Sequence, residues 1–127
     1  MRELIEQTWG WDEEWQRKDF DARYERCRVS VIEEDARAVG AIWVEERPSA
    51  LFIVDLQVLP GCQGRGIGTF VIRRTVDEAA SRSLKVELAV LEHNPRARLL
   101  YERLGFVAER MDPPWTYMRY RSTGSAL

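Results

Sequence analysis

Residues 63–68 read QGRGIG, three glycines at alternate positions between two apolar runs. The run before them, ALFIVDLQVLP at 50–60, is mostly apolar and predicts a strand covered on both faces. The run after them predicts a helix over about 67–83, with Ile72, Val76, Ala79 and Ala80 as its stripe, supported by Ile67 and Val71. The glycines therefore sit between a buried strand and a helix N-terminus. Backbone N–H groups there lack helical partners and carry partial positive charge. Glycine lets an anion approach without a Cβ in the way. The stretch reads as an anion cradle of successive N–H groups, or, at its plainest, as a tight strand-to-helix turn. Neither of two better known cradles fits. G-x-G-x-x-G counted from Gly64 places Thr69 at the third glycine, and no lysine follows Gly66 or Gly68 as G-x-x-x-x-G-K-[ST] requires.

Working outward, KVELAVLE at 85–92 is a strand reached through a helical crossover, so it runs parallel to the 50–60 strand. NPRARLLYERLG is a helix with marked ends: Asn94 caps it, Pro95 takes the first position and Gly105 stops it. RCRVSVIEE at 26–34 and AVGAIWVEE at 38–46 form an antiparallel hairpin, and FVAERMD at 106–112 with WTYMRYR at 115–121 forms another. Residues 1–9 and 13–26 read as helices broken at Gly10, and 122–127 as a frayed tail. The sum is one mixed α/β domain over residues 1–127.

Composition narrows the function. The 127 residues carry a net charge of −2, which argues against nucleic acid as a main partner. No apolar run is long enough for a membrane span, and the start has no signal-peptide core, so the expected location is the cytoplasm. One histidine and two separated cysteines, Cys27 and Cys62, predict neither a metal site nor a disulfide framework. Residues 1–25 hold eight acids against four bases, a solvated helix face or a mild attraction for a cationic ligand.

Two motifs together resemble the GNAT superfamily of N-acetyltransferases. Gln63, Gly66 and Gly68 match Q/R-x-x-G-x-G/A after the DLQVLP strand, and Asn94, Ala97, Tyr101, Gly105 and Phe106 complete N-x-x-A-x-x-x-Y-x-x-x-G-F. The resemblance covers about 27–121. It implies a central, mostly antiparallel sheet with one splayed parallel strand pair, helices on both faces, and acetyl-CoA as donor with no metal. It implies that Leu56, Gln57 and Val58 grip the pantetheine arm by their backbone. It assigns the pyrophosphate to Gln63, Gly64, Arg65, Gly66, Ile67, Gly68 and Thr69. Asn94 would hold the arm from the other side, and Tyr101 would lie near the thioester sulfur.

The acceptor is then a primary amine of a small molecule or peptide. A lysine-like amine has a pKa of about 10.4, so roughly one molecule in 2,500 is neutral at pH 7, and deprotonation costs about 4–5 kcal/mol. Tyr101 is the candidate donor to the leaving thiolate. Asp55 is the candidate base and acceptor contact, followed by Glu45, Glu87 and Asp12; Phe52 stands where several relatives carry a glutamate. Trp9, Trp11 and Trp15 at one end and Trp115 with Tyr117 at the other are either core or acceptor walls. The family usually opens with a strand before its first helix, whereas Met1 here falls inside the expected helix. Either the start lies upstream or the chain is a shortened member; the latter leaves the first strand missing and the 27–33 strand a bare edge, and it predicts a homodimer. The alternative reading is a non-catalytic CoA-binding or interaction module. A different nucleotide-binding domain, for NAD or ATP, is disfavoured by the motif departures.

Overall fold

A computed structural model describes residues 4–8, 27–64 and 66–121. Seven strands form one sheet: β1 (Leu4–Thr8), β2 (Cys27–Glu34), β3 (Arg37–Glu46), β4 (Ala50–Val58), β5 (Lys85–Leu91), β6 (Phe106–Asp112) and β7 (Trp115–Tyr120), in the spatial order β1-β2-β3-β4-β5-β7-β6. The crossover from β4 to β5 carries α1 (Ile67–Ser81), and α2 (Pro95–Leu104) links β5 to β6. Every neighbouring pair is antiparallel except β4 and β5. That is the mixed α/β architecture expected from the sequence. Both described helices pack on one face, over a core that includes Ile42, Val44, Leu51, Leu88, Phe106 and Met118. Cys27, Val29, Ala41 and Trp43 form a smaller buried cluster, with Val54 packed against it. Strand alternation puts that cluster on the opposite face. The helix expected at 13–26 lies outside the described residues.

The beginning of the chain departs from the helix expected over residues 1–9. Residues 4–8 are a strand, not part of a helix, and pair antiparallel with β2 from Leu4↔Glu34 to Thr8↔Ser30. Leu4 and Glu6 are half-buried while Ile5 is 46% exposed, the period of a strand edge. Five residues are too short to show a helical period, and pairing with an open sheet edge outweighs the modest helix preference of Leu, Glu and Gln. The first strand is therefore present. β2 is paired on both sides, by β1 and β3, so it is not the bare edge from which a homodimer was expected.

Charged side chains tie α1 to the strands beneath it. Arg28 on β2 donates twice to Glu78, at 2.7 Å each, and once to Glu46 at 2.9 Å; Arg82 reaches both carboxylates. Arg74 bonds Glu6 at 2.9 Å and fastens β1 to the same helix. The Arg28 guanidinium holds the Glu78 carboxyl below its ordinary range, against the opposing effect of burial. A carboxyl with a depressed folded-state pKa contributes stability that is complete above its ordinary value of 4.5 and lost as pH falls through the lowered one. Arg28→Ala should therefore cost about 1–3 kcal/mol at pH 7. The gap between variant and parent should close as pH falls from 4.5 through the lowered value, which melting curves from pH 7 down into the acid range would check.

Candidate functional site

The parallel pair is short. β4 and β5 are in register only from Ala50↔Lys85 to Ile53↔Leu88, after which β4 continues along β3 and β5 along β7. The parting point coincides with a bulge. Val44 faces Ile53 and Trp43 faces Asp55, so Val54 is the extra residue. A bulge bends its strand and increases local twist, which turns β4 away from β5. Gly40 permits the close β3–β4 approach, since a Cβ there would stand 2.7 Å from the Gln57 carbonyl oxygen.

The chain then makes a short 3-10 turn, Pro60–Cys62, and enters α1 through Gly64 and Gly66, whose φ values of 79° and 84° are left-handed. A side chain at either is strained by roughly 1–2 kcal/mol. Gly66 is the N-cap and offers no side chain to the helix. The first N–H groups of α1 are consequently uncapped. Gly68 has a different role: a Cβ there would make only ordinary contacts with Leu100 and Leu56, at 3.5 and 3.8 Å. Gly66→Ala should lower stability by about 1–2 kcal/mol and Gly68→Ala by less than 0.5, a contrast that paired denaturant melts would read.

These elements enclose a groove of about 660 Å³. It brings together Leu56, Val58, Gln63, Gly64, Gly66, Ile67, Gly68, Thr69, Asn94 and Tyr101, most of the positions expected from the two motifs. Asp55, Gln57 and Trp115 do not line it. Trp115 pairs with Leu91 and Asp112 at the start of β7. Arg65, Trp9, Trp11 and Trp15 lie outside the described residues.

Three lining residues of α2 were not singled out in the sequence: Arg96, Leu99 and Arg103. With Leu100, which the spacing already placed on the face of Ala97, Tyr101 and Leu104, they follow one another at i, i+3, i+4 and i+7 as a second stripe on α2. The signal was legible, because a helix with two faces in use shows two stripes. Arg98, off that stripe, pairs with Glu102 at 3.2 Å instead.

The free edge of β4 is satisfied by its own neighbours. Asp55 Oδ1 accepts from the Leu56 N–H at 2.8 Å, and Asp55 Oδ2 accepts from Gln57 Nε2 at 2.9 Å. Gln63 Nε2 donates to the Val58 carbonyl at 3.1 Å. An extended arm pairing with Leu56 and Val58 would have to replace the first and third of these bonds. Asn94 caps α2, its Oδ1 accepting from the Ala97 N–H at 3.3 Å, so its NH₂ is what it can offer a ligand.

Tyr101 packs edge-on against Phe106, ring centroids 5.9 Å apart at 61°. Burial, with the Asp55 carboxylate adding to it, pushes the Tyr101 hydroxyl up to about 12. It is a donor, not a base, across the physiological range. Among the described residues, no group of three or more His, Cys, Asp or Glu side chains converges as metal ligands would.

Comparison with known proteins follows the same outline. The chain is 39% identical over 74 residues to mycothiol acetyltransferase from Beutenbergia cavernae, covering 57% of this chain and 25% of that protein. It spans 25–49% of the length of the curated relatives it matches. Its fold superposes on an IAA acetyltransferase from Bacillus cereus with a TM-score of 0.78 at 15% identity, covering 93% of this chain and 99% of that one. It superposes on a GNAT family acetyltransferase from Elizabethkingia anophelis, solved with acetyl-CoA bound, with a TM-score of 0.76 at 11% identity, covering 95% and 98%. The model of the acetyltransferase (GNAT) family matches residues 1–106, and the chain belongs to that family.

Proposed function

We propose that this chain transfers an acetyl group from acetyl-CoA to a primary amine of a small molecule or peptide, by direct attack. The observation that carries the reading is the continuity of the site. One groove runs from an uncapped helix N-terminus with two left-handed glycines, past the free edge of β4, to the buried hydroxyl of Tyr101. Its chemistry suits the donor. Backbone N–H groups between Gly64 and Thr69, with Arg96 and Arg103, match a diphosphate. Leu56, Val58 and Leu100 match an apolar arm, and the β4 edge can pair with that arm's amides as an added strand. The relative solved with acetyl-CoA bound supports the same assignment.

In the reaction, the neutral amine nitrogen forms a bond to the acetyl carbon, the C–S bond breaks, and its electron pair leaves on sulfur. The ammonium must lose one proton before attack and a second after it. Asp55 is the proposed acceptor of the first, because it follows the last β4–β5 pair by two residues and its carboxylate is near enough to Tyr101 to raise it. Tyr101 is the proposed partner of the thiolate. A thiol near pKa 8.5 is a stronger acid than a hydroxyl at about 12, so full transfer is uphill by about 5 kcal/mol and Tyr101 acts by hydrogen bonding. Trp115, with Trp9 and Trp11, is proposed as wall of the acceptor side.

Calorimetric titration with acetyl-CoA, CoA, NAD and ATP, followed by thiol detection with an amine panel, tests this. Micromolar binding of the CoA species alone and amine-dependent thiol release are expected. Binding without release from any amine would instead support the non-catalytic CoA module.

A further inference from the structure

A second cavity, of about 190 Å³, lies away from the groove and is lined by Arg47, Phe52, Glu87, Glu109, Arg110 and Tyr117 among others. Phe52 and Val54 alternate along β4, and Val54 packs on the cluster of the face opposite the helices, so the Phe52 side chain stands on that face. Phe52 pairs in register with Glu87, one residue before Ile53↔Leu88, the last pair before β4 and β5 part. The slot therefore opens at the base of the splay from the side opposite the groove. A two-substrate transfer needs such a second entry, and the position is the first thing that marks this slot.

The second is its lining. The rings of Phe52 and Tyr117 lie 6.4 Å apart, and Glu87 stands between their strands. Glu87 makes no ion pair among the described residues, while Glu109 is matched by Arg119 at 3.0 Å. A carboxylate beside two aromatic rings that shield it from water is a receptor for an ammonium group. The rim is the opposite in sign. Arg47 lies 4.0 Å over Phe52, and Arg110 lies 4.1 Å over Tyr117. Arg47 is already bonded to Glu45 at 2.9 Å. Among the carboxylates of the described residues Arg110 approaches only Asp112, at 3.9 Å, beyond hydrogen-bond reach, and its side chain is 62% exposed. Stacking fixes the plane of that guanidinium and leaves its donor edge open for a bidentate acceptor.

We propose that this slot receives the acetyl acceptor and selects a dipolar one, a primary ammonium with a carboxylate a few bonds away, as in an amino acid. Glu87 with Phe52 and Tyr117 takes the ammonium, and Arg110 takes the carboxylate. Arg110 on the rim disfavours a second ammonium where it would accept a carboxylate, so the slot points away from the purely cationic ligand that the acidic start of the chain suggested. The proposal rests on the acetyl-transfer reading for the meaning of "acceptor" but is tested by binding.

The protein saturated with CoA is titrated calorimetrically with matched pairs: phenylalanine against phenethylamine, and lysine against cadaverine. The carboxylated member of each pair should bind at least tenfold more tightly. Arg110→Gln should collapse that difference to within about twofold, and Glu87→Gln should weaken every amine at least fivefold. Equal affinities, a preference for the amine without carboxylate, or no binding of either to a protein that binds CoA would each overturn the proposal. The acetyl-transfer reading fails separately, when a bound acceptor releases no thiol from acetyl-CoA.

Discussion

Tyr101→Phe is expected to lower kcat for amine acetylation by about 100-fold while leaving the dissociation constant of acetyl-CoA within about twofold. A positioned proton donor contributes roughly 10²–10⁴ to a rate. The lower end applies because the hydroxyl, pushed up to about 12, stabilises the thiolate without surrendering its proton. The ring is retained in the variant, so its edge contact with Phe106 and the shape of the groove are kept. The pH profile offers a second check. A group raised to about 12 stays protonated through pH 10, so Tyr101 contributes no alkaline decline in kcat below that value. A decline beginning near pH 9 and lost in Tyr101→Phe would mean that the hydroxyl titrates normally and is not desolvated. An unchanged kcat would make Tyr101 a packing residue.

Phe106→Ala should destabilise the fold by about 3–5 kcal/mol, a fall in Tm of about 10–20 °C. The ring is 2% exposed and meets two tyrosines edge-on, Tyr101 at 5.9 Å and Tyr120 at 5.5 Å. Its removal opens a cavity beneath Tyr101, so the surviving folded enzyme should also lose kcat. Phe106→Leu separates the two effects. It refills most of the volume and should cost less than about 2 kcal/mol, while the aromatic contact that orients Tyr101 is still lost. Thermal melts give the stability and single-turnover rates give the chemistry. Equal kcat in Phe106→Leu and the parent would confine Phe106 to the core.

Gly105 explains why that phenylalanine occurs where it does. Its φ of 111° ends α2 and its N–H returns to the carbonyls of Glu102 and Tyr101. The chain is thereby turned so that the next residue enters the core. A Cβ at Gly105 would meet Tyr120 at 3.0 Å, so the glycine is required by space as well as by dihedral.

The sequence by itself determined the elements whose causes are local. Asn94, Pro95 and Gly105 bound α2 because caps and left-handed stops act within one turn of backbone. The crossover through α1 made β4 and β5 parallel, since a helical return leaves no other simple path. The glycines at 64, 66 and 68 were legible as a turn or an anion cradle free of Cβ atoms, and the two motifs pointed to the family. Only the tertiary structure decided the rest. Residues 4–8 are a strand because an open edge of β2 was there to be paired, a fact absent from those five side chains. The bulge at Val54, which parts β4 from β5, comes from register against β3 and has no local signal. Glu87 was one acid among several until pairing set it beside Phe52 and near Tyr117 and Arg110. Local sequence fixes dihedrals and periods, whereas register and splay follow from packing between segments tens of residues apart.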